Sequence, residues 1–376
     1  MSTGTETPTP ALAPEVAGRG GGTPGPDGKS RLRRVRLPRQ TLVRNLLLAL
    51  AFGVLLYLLS ESISSFNNLR LATIAYYFTA LAGLTVLTGL NGQISLGHGA
   101  LMAVGAYSTA ILTSRTGFPL GAALLASAAI TAVVGVAVGA AASRLRGPYL
   151  AGATLAFAIG LPGLADKYPS AFGGENGISV APPTPPASLG LTFPLERWEA
   201  WIACLCALIV FVVLANLLRS RVGRAFRAVR DDEVAAQLSG LNVARTQVLA
   251  FVVSAACAGV AGGALVVVTQ LAAPGAFQLS LSLALLTGIV LGGLGSLAGA
   301  LWGAIALVYL PQWSDDLAHS ISLSNNVQSN LPLALYGIVL IGVIVAAPQG
   351  IQGALRGLAR MANARLRKNP TTEEGA

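Results

Sequence analysis

Long apolar runs separated by short polar breaks set the pattern of this chain, and their lengths point to helices that cross a bilayer. Each crossing takes about 20 predominantly apolar residues. Such runs fall near 45–60, 71–90, 94–113, 119–142, 149–165, 199–218, 246–269, 280–294, 297–312 and 331–347. The stretch 246–314 carries no charged residue, which is too long for two crossings and suits three. Breaks at Pro274-Gly275 and at G-G-L-G-S, residues 292–296, divide it. The expected fold class is an all-α polytopic membrane protein of about ten transmembrane helices, some of them short or broken.

Composition supports this and excludes a soluble enzyme. The 376 residues are 53% apolar and 11% charged, with a mean hydropathy of +0.66, whereas soluble domains are about one quarter charged. A net charge of +10 raises nucleic acid as a partner, but the placement of the cations argues for membrane orientation instead. All 25 basic residues except Arg70, Arg115, Lys167 and Arg197 fall on one side of the ten-span arrangement. The positive-inside rule therefore puts both termini and the polar stretch 219–245 in the cytoplasm of a multi-pass protein of the cell membrane. Three parts follow: a disordered basic tail over 1–44, a membrane domain over 45–348 with an outside loop over 166–197, and a basic cytoplasmic tail over 349–376.

Several motif matches lack the context that would give them chemistry. G-T-P-G-P-D-G-K-S at 22–30 has Thr23 where a phosphate loop needs its first glycine, and no strand precedes it. Gly293-Leu-Gly295-Ser-Leu-Ala298 fits a dinucleotide fingerprint by letter but lies in a charge-free apolar region. Its glycines read as packing ladders, Gly288/Gly292 and Gly295/Gly299/Gly303, that let helices approach closely in lipid. Cys204, Cys206 and Cys257 sit inside expected spans and are read as small apolar residues. Neither a catalytic residue nor a metal site is expected.

Two segments are poor plain spans. N-G-Q-I-S-L-G-H-G-A at 91–100 concentrates glycines and polar side chains between the second and third spans, and 292–303 concentrates glycines between the eighth and ninth. Broken helices at membrane depth are tolerated where they are buried in protein or line a cavity. Gly92, Gln93, Ser95, His98, Gly293, Gly295 and Ser296 are therefore candidate residues of a translocation path. A second reading has Ser95 and His98 simply satisfying backbone groups at a helix break; a hydrolase reading of the pair lacks a nucleophile motif. Apart from Glu199 at the limit of the sixth, the expected spans hold no acidic or basic side chain, so a proton-coupled carrier lacks its usual relay.

The polar stretch 219–245 is amphipathic. Val222, Phe226 and Val229 form an apolar stripe, Arg221, Arg224, Arg227 and Arg230 recur every three residues beside it, and Asp231, Asp232 and Glu233 reverse the charge. The acidic triplet and the small residues Ala235, Ala236 and Gly240 suit a protein groove better than a lipid surface.

Glu233-x-Ala235-Ala236-x-x-x-Gly240 resembles the E-A-A-x-x-x-G coupling motif of ATP-binding cassette importer permeases, with Val234 inserted. The run R-A-F-R-A-V-R-D-D-E-V-A-A-Q-L-S-G-L-N-V is similar to branched-chain amino-acid permeases of the LivM type. So are N-G-Q-I-S-L-G-H-G-A, R-L-R-G-P-Y-L-A-G-A-T-L-A-F at 144–157, F-G-G-E-N-G-I at 172–178, V-L-G-G-L-G-S-L-A-G-A at 290–300 and A-P-Q-G-I at 347–351. The resemblance implies a non-enzymatic permease subunit in the bilayer, paired with a second related permease, two ATP-binding cassette ATPases and an extracytoplasmic substrate-binding protein. ATP and magnesium would be held by the ATPases, leaving no cofactor in this chain. It places the ATPase contact at Arg224, Asp232, Glu233, Ala235, Ala236 and Gly240. Val234 turns the glutamate by about 100° on a continuous helix, which favours the alanines and the glycine over the acid. Branched-chain amino acids are the expected cargo; urea, short amides or nucleosides, and an ATP-independent carrier or channel, are the alternatives.

Overall fold

The computed structural model describes residues 39–145, 147–190, 193–320, 337–338, 341–342, 345 and 350–367. In chain order, α1 (Arg39–Ser62) and α2 (Ser65–Leu84) lead into a π-turn, Thr85–Leu90, an irregular junction 91–97 and α3 (His98–Thr116). Next come α4 (Leu120–Ala142), α5 (Pro148–Lys167), the short α6 (Pro169–Phe172), strand β1 (Ile178–Ser179) and α7 (Leu195–Leu217). The polar stretch folds as α8 (Arg221–Asp231) and α9 (Glu233–Leu238). It is followed by α10 (Val243–Thr269), strand β2 (Leu271–Ala272), a 3-10 turn Pro274–Phe277, α11 (Leu279–Gly292), α12 (Leu297–Ser320) and α13 (Gly350–Arg367).

Small residues build the centre. Helix α10 packs against α4, α3, α2 and α7. A Cβ on Gly105 of α3 would meet the backbone of Gly259, one on Gly262 would meet the Met102 carbonyl, and one on Gly83 would lie 2.6 Å from the Cys257 Cβ. In lipid the apolar effect does not distinguish helix from tail, so close backbone approach of this kind supplies the packing energy. The three cysteines are free and buried. Outward faces carry the large apolar side chains, for example Leu125, Val133, Leu205 and Val213, as lipid or a partner helix requires.

Seven helices among the described residues are long and apolar enough to cross a membrane. Helices α3 and α12 occupy the expected third and ninth positions and pack against α10 and α4, and against α11 and α2. The expected span 331–347 lies largely outside the described residues. One boundary differs from the sequence reading, and two segments carry more structure than it gave them. Helix α1 begins at Arg39, inside the expected 1–44 tail. Within the basic segment after 349 lies helix α13, whose apolar residues recur at helical spacing. The segment 166–197 is more than a loop, because β1 pairs antiparallel with β2, Ile178 opposite Ala272.

Candidate functional site

The stretch 219–245 is two helices joined at a corner rather than the single helix its charge pattern suggests. The Ser220 hydroxyl accepts the Val222 and Gly223 amides at 3.1 and 3.4 Å and starts α8, which buries Gly223, Phe226 and Val229 against the bundle. Asp232 then leaves helical conformation (φ −161°, ψ 112°). Its Oδ1 accepts the Val234 and Ala235 amides at 2.8 and 3.0 Å. That capping geometry stops one helix and starts the next.

The corner redistributes the roles expected of the motif. Glu233, at the first position of α9, accepts a hydrogen bond from Gln247 Nε2 at 2.9 Å and so ties α9 to α10. Ala236 is buried with Val229 and Val243. Gly240, at φ 82°, closes α9: its amide donates to the Gln237 carbonyl and the Leu241 amide to that of Ala236. This double bond with a left-handed glycine is a Schellman cap, and Leu241 supplies its apolar contact. Arg224 is exposed and reaches only the Arg219 carbonyl, at 3.4 Å. Of the six expected contact residues, Ala235 alone offers an apolar exposed surface. It is joined by Val234, 65% exposed, and Leu238, 86% exposed. The sequence reading missed both, although their spacing of four residues would align them on one helix face.

The two broken junctions meet beside this helix pair. Residues 91–97 and 293–296 follow α2 and α11, and a Cβ on Gly89 would lie 2.5 Å from the Gly295 amide nitrogen. Ser95 Oγ accepts the Gly97 amide at 3.3 Å. His98, fully buried, meets the Ala80 carbonyl through Nε2 at 3.0 Å. Ser296 Oγ accepts the Gly299 amide at 3.0 Å and caps α12. These three side chains satisfy backbone groups here. Gly92, Gly293 and Gly295 adopt positive φ and turn the chain; Gln93 is buried, and its Oε1 has no protein partner. Two further hydroxyls hold the first junction: Thr154 of α5 accepts the Leu96 amide and Ser282 of α11 the Gly99 amide, both at 3.0 Å. A lone hydroxyl in an apolar helix leaves no sequence pattern that would have pointed to them.

An apolar cavity of about 640 Å³ opens among α1, α2, α7 and α12, with Phe52, Phe78, Phe211 and Leu301 in its walls. None of the seven candidate path residues lines it. At the far end of the bundle, Glu199 is buried within α7 at 2% exposure and accepts Gln270 Nε2 at 2.9 Å. The bundle interior thus does contain a carboxylate, held by an amide rather than by a second charge.

The sequence pattern of the family described as "Branched-chain amino acid transport system / permease component" matches residues 65–348. The chain is 29% identical over 309 residues to the high-affinity branched-chain amino acid transport system permease protein LivM of Salmonella typhimurium, covering 76% of this chain and 70% of that protein. It is 29% identical over 303 residues to the permease protein LivH of the same kind of system in Escherichia coli K12, covering 77% and 94%. It is also 28% identical over 230 residues to the autoinducer 2 import system permease protein LsrC of Enterobacter sp. 638, covering 57% and 62%. No solved structure matches.

Proposed function

Since the chain belongs to the branched-chain amino acid transport system permease family, we propose that it is one of two permease subunits of an importer driven by separate ATP-binding cassette ATPases. The ATPase docks on α9, and leucine, isoleucine or valine crosses between this chain and its partner permease. The observation that carries this reading is the apolar face of Val234, Ala235 and Leu238, exposed on a short helix beside the exposed arginines of α8. A monomer gains nothing by exposing such a face, whereas a subunit with a groove to fill does. The cation distribution supports a cytoplasmic position for α9 and both termini. The segment tied down by β1 and β2 is then extracytoplasmic and suits delivery by a binding protein. The junctions 91–98 and 293–296 lie at the inner mouth of the path.

Proteoliposomes holding this chain with a related permease, two ATPases and a binding protein test the reading. Uptake of leucine, isoleucine or valine should require ATP, and Leu238→Asp should release the ATPase while leaving the isolated chain folded. Uptake without ATPase, or selective uptake of urea or a nucleoside, would overturn the mechanism or the cargo respectively.

A further inference from the structure

Only one of the α8 arginines reaches the broken junctions. Arg230 Nη1 donates to the Gly89 carbonyl at 2.8 Å, while Nε and Nη2 hold Asp231 Oδ1 at 3.0 and 2.8 Å. Its aliphatic stem lies over Gly92, where a Cβ would come within 2.8 Å of Arg230 Cγ. The Gly89 carbonyl belongs to the last turn of the π-turn, where the chain turns away at Gly92 (φ 75°) and leaves carbonyls unpaired. A guanidinium at that place completes the helix end and meets the negative pole of its dipole.

The residue that accepts this bond also touches the second junction. Gly89 lies backbone to backbone against Gly295, and a Cβ on Gly350, the first residue of α13, would lie 2.5 Å from Gly293 Cα. The line from α8 therefore runs through Arg230 to residues 89–92, on to residues 293–295, and to the base of α13, without a flexible side chain beyond the arginine. Close-packed backbone shifts as a unit because it has no rotamers in which to absorb displacement. A π-turn is also a frequent place of local adjustment in helices.

We propose that Arg230 is the positioning residue through which movement of α8 and α9 reaches both junctions. The proposal rests on the transport reading for its consequence, though not for its geometry. Arg224, expected from the sequence at the ATPase contact, bonds only the Arg219 carbonyl on its own side of α8.

The test uses the full chain in nanodiscs, alone and in the reconstituted importer. In the chain alone, Arg230→Ala should speed amide exchange at residues 89–92 and at residues 293–296, which the side chain does not touch, by about tenfold, the equivalent of one lost hydrogen bond. Arg230→Lys, which keeps one donor, should restore most of the protection. Gly92→Ala, which displaces the stem, should behave like Arg230→Ala. In the importer, Arg230→Ala should keep assembly and ATP hydrolysis but lower the substrate moved per ATP. Unchanged exchange at 293–296 in the chain alone overturns the mechanical link whatever the complex does. Altered exchange with wild-type transport per ATP overturns the coupling role. An importer that shows no ATP-driven uptake even with the wild-type chain removes the functional reading and leaves the exchange result to decide the link.

Discussion

The two ends of the bundle are held together by different means. At the end bearing α8 and α9, backbone meets backbone: Gly89 on Gly295 and Gly350 on Gly293, with single hydroxyls of Thr154 and Ser282 catching amides of the first junction. At the other end, side chains interlock. Tyr107 packs edge-on against Phe172 with centroids 5.2 Å apart, Trp201 lies against Tyr57 at 5.2 Å, and the buried Glu199 bonds Gln270 at the corner between α10 and β2. Aromatic packing fixes one arrangement through many partial contacts. Stacked glycines have no rotamers in which to absorb displacement, so the segments they join move together. The difference suggests that the second end is a clamp and that the first is where the chain changes shape.

The strongest challenge to this contrast is Gly262→Val in α10, whose first carbon has to enter the space of the Met102 carbonyl. Overpacking against backbone should cost roughly 3 kcal/mol or more and abolish monodisperse protein in size-exclusion chromatography. A well-behaved variant would mean that α3 can retreat from α10, and the rigid centre assumed for both ends would be lost.

Next in size is Glu199→Ala, which removes the buried acceptor of the half-buried Gln270 amide. Loss of about 1–3 kcal/mol is expected, read as a lower midpoint of thermal unfolding, with Glu199→Gln closer to wild type. Gln270 itself sits at φ 56°, so the lost bond should also loosen β2, and hydrogen exchange at residues 270–272 should rise. Unaltered exchange there would remove the clamp from the comparison.

Smaller effects belong to the moving end. Gly240→Ala places a Cβ in the left-handed region at a site with open space around it, so the cost is conformational, about 1–2 kcal/mol, and should appear as fraying of α9. Asp232→Ala removes a helix cap worth about 1 kcal/mol, whereas Asp232→Asn keeps the capping oxygen. Equal transport by Asp232→Asn and wild type would identify capping as its role; loss in Asp232→Asn, whose cap is intact, would return the carboxylate charge to the ATPase contact. Leu238→Asp should leave the unfolding midpoint unchanged, because surface changes away from packed features usually shift stability by less than about 0.5 kcal/mol.

Much of the fold was legible because hydrophobic length is a strong signal in lipid. The break at 292–296 separates α11 from α12 where the glycines suggested, and the end expected at 269 is the end of α10. The Gly288, Gly292, Gly299 and Gly303 ladder does bring α11 and α12 together, but Gly295 lies outside it and packs on Gly89. Other features left weaker traces. Aspartate interrupts a helix only where its side chain turns back on the backbone, so the corner at Asp232 does not show in an amphipathic pattern. Glu199 stands at the edge of its apolar run, and its partner Gln270 is 71 residues away, so nothing in the local pattern pairs the two. The outward face of α9 rests on Val234 and Leu238, two apolar residues in a polar stretch, where composition draws the eye to the charges instead.

The contact between Gly350 and Gly293 has a consequence for biogenesis. The three segments that meet at residues 89–92, 293–295 and 350 leave the ribosome far apart in time: at 5–20 residues per second, roughly 15–50 s separate the first from the last. For about the first half of that interval Arg230 has not been made, Gly295 follows later still, and Gly350 comes last. The inner mouth is therefore among the last parts of the molecule to form, and a chain truncated before α13 would enter the bilayer with its spans in place and its mouth unfinished.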